Sequence, residues 1–288
     1  VARLDTLVTV IDCKNFLDDY QSRDRAVDRK ELGAEEQDER TIVDLLVEQA
    51  EFANILILNK SDLVSASELE KLKGILRKLN PGARTVETRF GEVNPKLLLN
   101  TNSFDMKSAS MLPGWVRELE GAGHKPETEE YGISSFVYRA DRPFHPRRLG
   151  AVLRYGFDGV LRSKGFVWSA SDHNTAVEWS QAGATMRLKG GPQWLAASTP
   201  QCEWPAGAER YKKCPHGDRR QELVFIGANM TEASIRSWLW RALVTDEEFQ
   251  EGPKLWSRWP GLVTNGSKSV NAAKQRASGV KRKRSEKS

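Results

Sequence analysis

Apolar and polar positions alternate between two periods along the first hundred residues. Ile55-Leu56-Ile57-Leu58 is a four-residue aliphatic run bounded by polar residues, the signature of a strand buried on both faces as in a parallel sheet. Leu4 to Ile11 is β-rich and ends in Asp12-Cys13, which predicts a second strand of the same kind. Between them Thr41 to Ala53 turns helical: Ile42, Leu45, Leu46, Gln49 and Phe52 share one face. After the aliphatic run, Leu69, Leu72, Leu76 and Leu79 repeat at helical spacing behind Ser65 as N-cap, and Asn80-Pro81-Gly82 stops the helix. Thr85 to Thr88 predicts a last strand and Pro95 to Leu99 a short helix. Strand, helix and strand in this order form a βαβ unit. Residues 14–40, highly charged, predict a partly helical surface segment.

The pattern changes near residue 100. Residues 101–130 are polar, carry Pro113, Gly114, Gly121, Gly123 and Pro126, and read as a linker with one short helix around Trp115 to Leu119. Strands are then predicted at Ile133–Tyr138, Gly165–Ser169 and Glu222–Gly227, and a hairpin at Val177–Gln181 and Ala184–Leu188. Helices are predicted at Pro146–Leu161, with Leu149, Val152, Leu153 and Leu161 inward, and at Thr231–Leu243. Gln193 to Pro215, rich in Trp, Pro and Gly without a period, reads as a loop. The fold class expected is α/β for residues 1–100, then an α+β domain over 131–263 and a disordered tail over 264–288 that is poor in apolar residues.

Charge sharpens that division. The chain of 288 residues carries a net +5, but the tail from Thr264 carries eight Lys/Arg against Glu286 alone, leaving the body at −2. The body therefore shows no bias towards nucleic acid. The nine tryptophans lack interleaved basic residues and read as packing. No run approaches the ~18–20 apolar residues of a membrane span. Three cysteines, Cys13, Cys202 and Cys214, make no disulfide scaffold and point to a reducing, cytoplasmic compartment. The run Lys281-Arg-Lys-Arg284 leaves a nuclear address and a solvated tail equally open.

The aliphatic run leads straight into Asn59-Lys60-Ser61-Asp62, at the carboxyl end of a strand, where open α/β sheets bind ligands. The Asp62 carboxylate can accept two parallel hydrogen bonds from guanine N1–H and the 2-amino group, a pair adenine does not offer. A Lys60 stem can lie across the base, and an Asn59 amide can tie neighbouring loops. The competing reading is a helix-capping Asp. No Gly-x-x-x-x-Gly-Lys-Ser/Thr loop occurs in the 288 residues, and Arg187-Leu-Lys-Gly-Gly191 reads as a tight turn. Asp12 suits a loop-capping role better than Mg²⁺ binding. Cys202, Cys214 and His216 do not have zinc-ligand spacing, and His145, between two prolines, reads as a helix entry. No residue is assigned to nucleophilic catalysis.

Several blocks together resemble one family. Leu4-Asp-Thr-Leu-Val-Thr-Val-Ile-Asp12, Arg40-Thr-Ile-Val-Asp-Leu-Leu-Val-Glu-Gln49, Glu51-Phe-Ala-Asn54 and Ile57-Leu-Asn-Lys-Ser-Asp-Leu63 are similar to the G domain of CobW-type GTPases. Glu129 to Tyr138, Arg142-Pro-Phe-His-Pro-Arg-Arg-Leu149, Leu161 to Trp168 and Asp218 to Gly227 resemble the CobW C-terminal domain. The resemblance implies part of a P-loop GTPase parallel sheet followed by a smaller α+β CobW C-terminal domain. It also implies GTP with Mg²⁺ as cofactor, zinc or cobalt as cargo, and a client metalloprotein as partner. By that resemblance Asn59, Lys60 and Asp62 recognise guanine. The family's phosphate loop, Mg²⁺ carboxylate and Cys-x-Cys-Cys motif would lie ahead of Val1. The 288 residues are thus expected to be the carboxy-terminal two-thirds of such a protein and, alone, to lack GTPase activity. The other expectation is a non-catalytic interaction module built on a remnant G domain.

Overall fold

The computed structural model describes residues 3–21, 24, 41–105 and 132–263, and the backbone of 267–271. Strands β1 (Val8–Asp12), β2 (Ile55–Asn59) and β3 (Arg84–Glu87) form a parallel sheet in the order 1-2-3. Asp12 pairs with Asn59 and Leu58 with Glu87, so the three carboxyl ends lie side by side. Helix α1 (Phe16–Gln21) follows β1; α2 (Ile42–Phe52) and α3 (Ala66–Leu79) flank β2. Both longer helices open on reciprocal caps, Thr41 with Asp44 and Ser65 with Glu68, each satisfying amides that the first turn leaves free.

The second half is a six-stranded, wholly antiparallel sheet of β4 (Ile133–Ala140), β5 (Val160–Trp168), β6 (Thr175–Ala182), β7 (Thr185–Gln193), β8 (Gln221–Ala228) and β9 (Ser267–Asn271), in the order 4-8-5-6-7-9. Helices α4 (Pro146–Tyr155) and α5 (Glu232–Ala242) cover one face, burying Leu149, Leu153, Ile235 and Leu239 against Phe136, Leu223 and Phe225. The alternate residues of the same strands, Ile133, Val224 and Ile226, face the other way. There they join Val43, Val47, Leu72 and Ile75 of α2 and α3 in one core. The two longer helices of the first half are thus packed between the two sheets.

Glu51 on α2 and Arg162 on β5 pair across this junction, with side chains 2% and 5% exposed. The hairpin turn at Gly183 enters it too. Gly183 has φ +52, and a Cβ there would stand 2.5 Å from the Tyr20 carbonyl oxygen, so glycine supplies both the turn and the close approach.

Four expectations are corrected. The helix predicted over Pro146–Leu161 ends at Tyr155, where Gly156 takes φ +74. Leu161 lies instead on β5, since an isolated apolar residue past a glycine fits either period. Gln193–Pro215 contains short helical turns at Leu195–Ser198, Gln201–Glu203 and Ala206–Tyr211, with Asp218 accepting from the Leu195 and Ala196 amides. Arg187-Leu-Lys-Gly-Gly191 runs along β7 and is no tight turn. In the tail expected to be disordered, Ser267–Asn271 instead pairs with β7 as an edge strand. Edge pairing needs backbone groups rather than a core. Trp115–Leu119 and the Lys281–Arg284 run lie outside the described residues.

Trp168 anchors a smaller cluster at the end of β5. Its indole N–H donates to His173 Nδ1 at 3.2 Å, and His216 and Trp256 pack on the same ring. Burial above all, with the Arg219 and His216 charges adding, pushes His173 from 6.5 down to about 4. Burial lowers His145 and His216 as well. The folded value lies below the unfolded one, so on acidification the unfolded chain binds the proton first. This contribution to stability is complete above the unfolded value and lost as pH falls from there towards the folded one. Thermal melting should therefore drop on acidification from about pH 6.5 towards 4, and His173→Gln should flatten part of that fall.

Candidate functional site

The carboxyl edge of the parallel sheet gathers three short loops: Asp12–Asn15, Asn59–Leu63 and Thr88–Glu92. All three sequence-predicted residues Asn59, Lys60 and Asp62 lie on the middle one, and each does something different.

Asn59 ends β2 with its side chain turned towards the β3 loop. Its Oδ1 accepts from the Gly91 amide at 3.0 Å and from Thr88 Oγ1 at 3.3 Å. The Ser61 hydroxyl and amide both donate to the Thr88 carbonyl, at 3.1 and 3.3 Å. Two adjacent loops are therefore laced by four hydrogen bonds, which fixes the backbone on which the next residues sit. Thr88 is buried, so its polar groups need these partners.

Lys60 takes the left-handed conformation at φ 60, ψ 33, uncommon for a residue with a Cβ. It opens the one-turn helix Ser61–Leu63, closed by Leu63 N–H to the Lys60 carbonyl at 3.0 Å. The Lys60 side chain reaches back to Asp12 Oδ2 at 2.7 Å. Asp12 is the residue that sequence left between loop cap and Mg²⁺ ligand. Its Oδ1 accepts from the Lys14 and Asn15 amides at 3.0 and 3.2 Å, and its Oδ2 also accepts from Asn15 Nδ2 at 3.0 Å. Partial burial would raise this carboxyl, but the Lys60 hydrogen bond and those amides hold it below its ordinary value. With both oxygens committed, Asp12 serves as a loop cap and an anchor for Lys60.

Asp62 is exposed on the short helix, and among the described residues no side-chain hydrogen bond or ion pair engages its carboxylate. One carboxylate is thus held out at the sheet edge on a turn that is otherwise tied down. Sequence reasoning missed Thr88 and Gly91 as the partners of Asn59. The signal was available: Thr88-x-x-Gly91 stands at the carboxyl end of the next parallel strand.

The other candidates do not assemble a site. Cys13 is buried, and burial, then the neighbouring Asp12 and Glu87 charges, push its thiol up to about 11, an unreactive value. Cys202 and Cys214 are exposed and unpaired, while His216 packs on Trp168. Among the described residues no group of three or more His, Cys, Asp or Glu could hold a metal ion. No described helix is long and apolar enough to cross a membrane.

Comparison with known proteins agrees with this geometry. Residues 1–87 match the family model of the CobW/HypB/UreG nucleotide-binding domain, and residues 133–243 that of the cobalamin synthesis protein cobW C-terminal domain. A Dictyostelium discoideum protein named zinc-regulated GTPase metalloprotein activator 1 is 45% identical over 267 residues, 89% of this chain and 55% of that protein. A Mycobacterium tuberculosis zinc chaperone is 26% identical over 264 residues, 89% of this chain and 60% of its own length. This chain spans little more than half the length of these relatives. The Zn(II)-bound YjiA GTPase of Escherichia coli aligns at 20% identity over 84% of this chain and 62% of that one, with a TM-score of 0.35, too low to add to the assignment. The two matched domains, in this order on one chain, place it in the CobW family.

Proposed function

We propose that this chain is the guanine-reading and C-terminal part of a GTP-dependent metallochaperone that delivers zinc or cobalt to a client metalloprotein. The observation that carries this reading is the exposed, unengaged Asp62 carboxylate, held on a left-handed Lys60 turn at the carboxyl edge of a parallel sheet. Asn59 holds the neighbouring loop, Lys60 is anchored to lie across the base, and Asp62 reads the guanine edge. Hydrolysis with Mg²⁺ requires a phosphate loop that these 288 residues do not contain. The relatives named as zinc chaperone and metalloprotein activator support the zinc cargo. Three unpaired cysteines suit a reducing compartment such as the cytoplasm.

The test is zinc titration of the full-length protein against a competing chelator dye, with GTP, with ATP and without nucleotide. Coupling through linkage predicts a zinc affinity that changes by about 5-fold or more with GTP and not with ATP. Superimposable isotherms in all three would remove the metallochaperone reading.

A further inference from the structure

The turn after β3 carries a residue that neither the fold nor the turn accounts for. Phe90 has φ +52 and Gly91 φ +72, and the Glu92 amide donates to the Arg89 carbonyl at 2.9 Å. These are the marks of a type I′ turn, whose first central position favours Asn, Asp or Gly because φ is positive there. A phenylalanine in that conformation is an outlier. It is also 87% exposed, more than any other large hydrophobic among the described residues. No ring or cation partner engages it among those residues. Core packing does not call for an aromatic here, and turn preference opposes one. Backbone strain of this kind concentrates where a ligand is clamped.

The position of Phe90 names the ligand. Its turn is laced to the Asn59–Ser61 loop by Gly91 N–H to Asn59 Oδ1 at 3.0 Å and by the Ser61 hydroxyl to the Thr88 carbonyl at 3.1 Å. It therefore belongs to the loop that neighbours the turn presenting Asp62. A base whose edge is read by Asp62 exposes two flat faces. The Lys60 stem, tethered to Asp12 at 2.7 Å, serves one of them. We propose that Phe90 stacks on the other face of the purine. This rests on the reading of Asn59–Asp62 as a guanine site and adds a second, chemically different contact to it. Stacking rewards any purine, whereas hydrogen bonding to Asp62 rewards guanine alone.

That difference supplies the test. Affinities of guanine, xanthine and adenine nucleotides are measured on the full-length protein by competition with a fluorescent guanine nucleotide. Phe90→Ala, Phe90→Leu and Phe90→Gly should weaken all purine nucleotides together by about 5- to 100-fold, the range of a base–aromatic stack, and leave the guanine-to-adenine ratio unchanged. Phe90→Trp should retain wild-type affinity. Phe90→Gly, which relieves the positive φ, should melt no lower than wild type, separating lost affinity from lost folding. Affinity within twofold of wild type in Phe90→Ala, alongside a lost guanine preference in Asp62→Ala, would overturn the Phe90 role and leave the guanine site standing. A guanine preference that survives Asp62→Ala would overturn both. Unchanged nucleotide binding with lost client binding in Phe90→Ala would assign the ring to a protein interface and reject the stack.

Discussion

Asp62→Ala is expected to weaken guanine nucleotides by about 10²- to 10⁴-fold while leaving adenine nucleotides unaffected. The magnitude comes from two hydrogen bonds to a charged acceptor, each worth roughly 1.5–3 kcal/mol. The direction comes from the base: guanine offers N1–H and an amino group along one edge, adenine does not. Asp62→Asn gives a sharper outcome. A carboxamide presents one acceptor and one donor, which match the N1–H and 2-oxo groups of xanthine, so the preference should move from guanine to xanthine nucleotides. Competition among the three nucleotides on the full-length protein reads both results. Neither variant should disturb the fold. The Asp62 side chain is exposed and has no hydrogen-bonding or ionic partner among the described residues, and surface changes of that kind stay within about 0.5 kcal/mol. Lost binding with an unchanged melting temperature therefore belongs to the base contact. A guanine preference intact in both variants would end the assignment of this turn.

The middle of the site was legible because two local rules coincide there. Ile55–Leu58, a short aliphatic run bounded by polar residues, reads as a strand buried on both faces, and the residues just past such a strand lie at the ligand edge of the sheet. Sequence could also name Ser65 as a cap, since a Ser with Glu68 three residues on, before an apolar repeat, is a self-contained signal. The Asp12–Lys60 link was not legible. It joins residues 48 apart that meet only because β1 and β2 pair Asp12 with Asn59. The same reason hides Asn59 with Gly91. Phe90 was invisible for a different cause: its exposure and positive φ are properties of the folded turn, and Arg-Phe-Gly-Glu has no Asn-Gly signature to announce one. Alternation in Phe-Val-Tyr and Val-Phe-Ile gave the strands of the second sheet, but not that one face would rest on α2 and α3. Period two says that a strand has two apolar faces. It does not say which layer covers each.

That shared layer sets the largest stability effect expected in the molecule. Glu51 Oε1 accepts from Arg162 Nε at 2.8 Å and Oε2 from Arg162 Nη2 at 3.3 Å, with both side chains almost wholly buried. Arg162 also donates to Ser180 Oγ at 3.0 Å and the Gln181 carbonyl at 3.1 Å, and Lys164 stands 3.8 Å from the same carboxylate. Burial already depresses Lys164, and Glu51 is the largest charge opposing that shift. Glu51→Ala would thus leave the buried Arg162 guanidinium without its carboxylate inside the junction, and Arg162→Ala would leave the Glu51 carboxylate with Lys164 at 3.8 Å in place of its two guanidinium hydrogen bonds. Each should cost about 3–5 kcal/mol, read as a lower urea midpoint or a melting temperature down by roughly 10 °C. Replacing both partners by apolar residues, Glu51→Leu with Arg162→Met, removes the charges together and should recover most of the loss, because a buried pair contributes little net energy beyond its own desolvation. Single losses below about 1 kcal/mol would mean that water reaches the pair and the junction is open. The functional weight of the pair comes from its place in the chain. Glu51 lies one residue before the end of α2, and α2 runs through Ala53 and Asn54 directly into β2, whose last residue is Asn59. Arg162 thus ties the antiparallel sheet to the helix that leads into the strand carrying the Asn59–Asp62 turn.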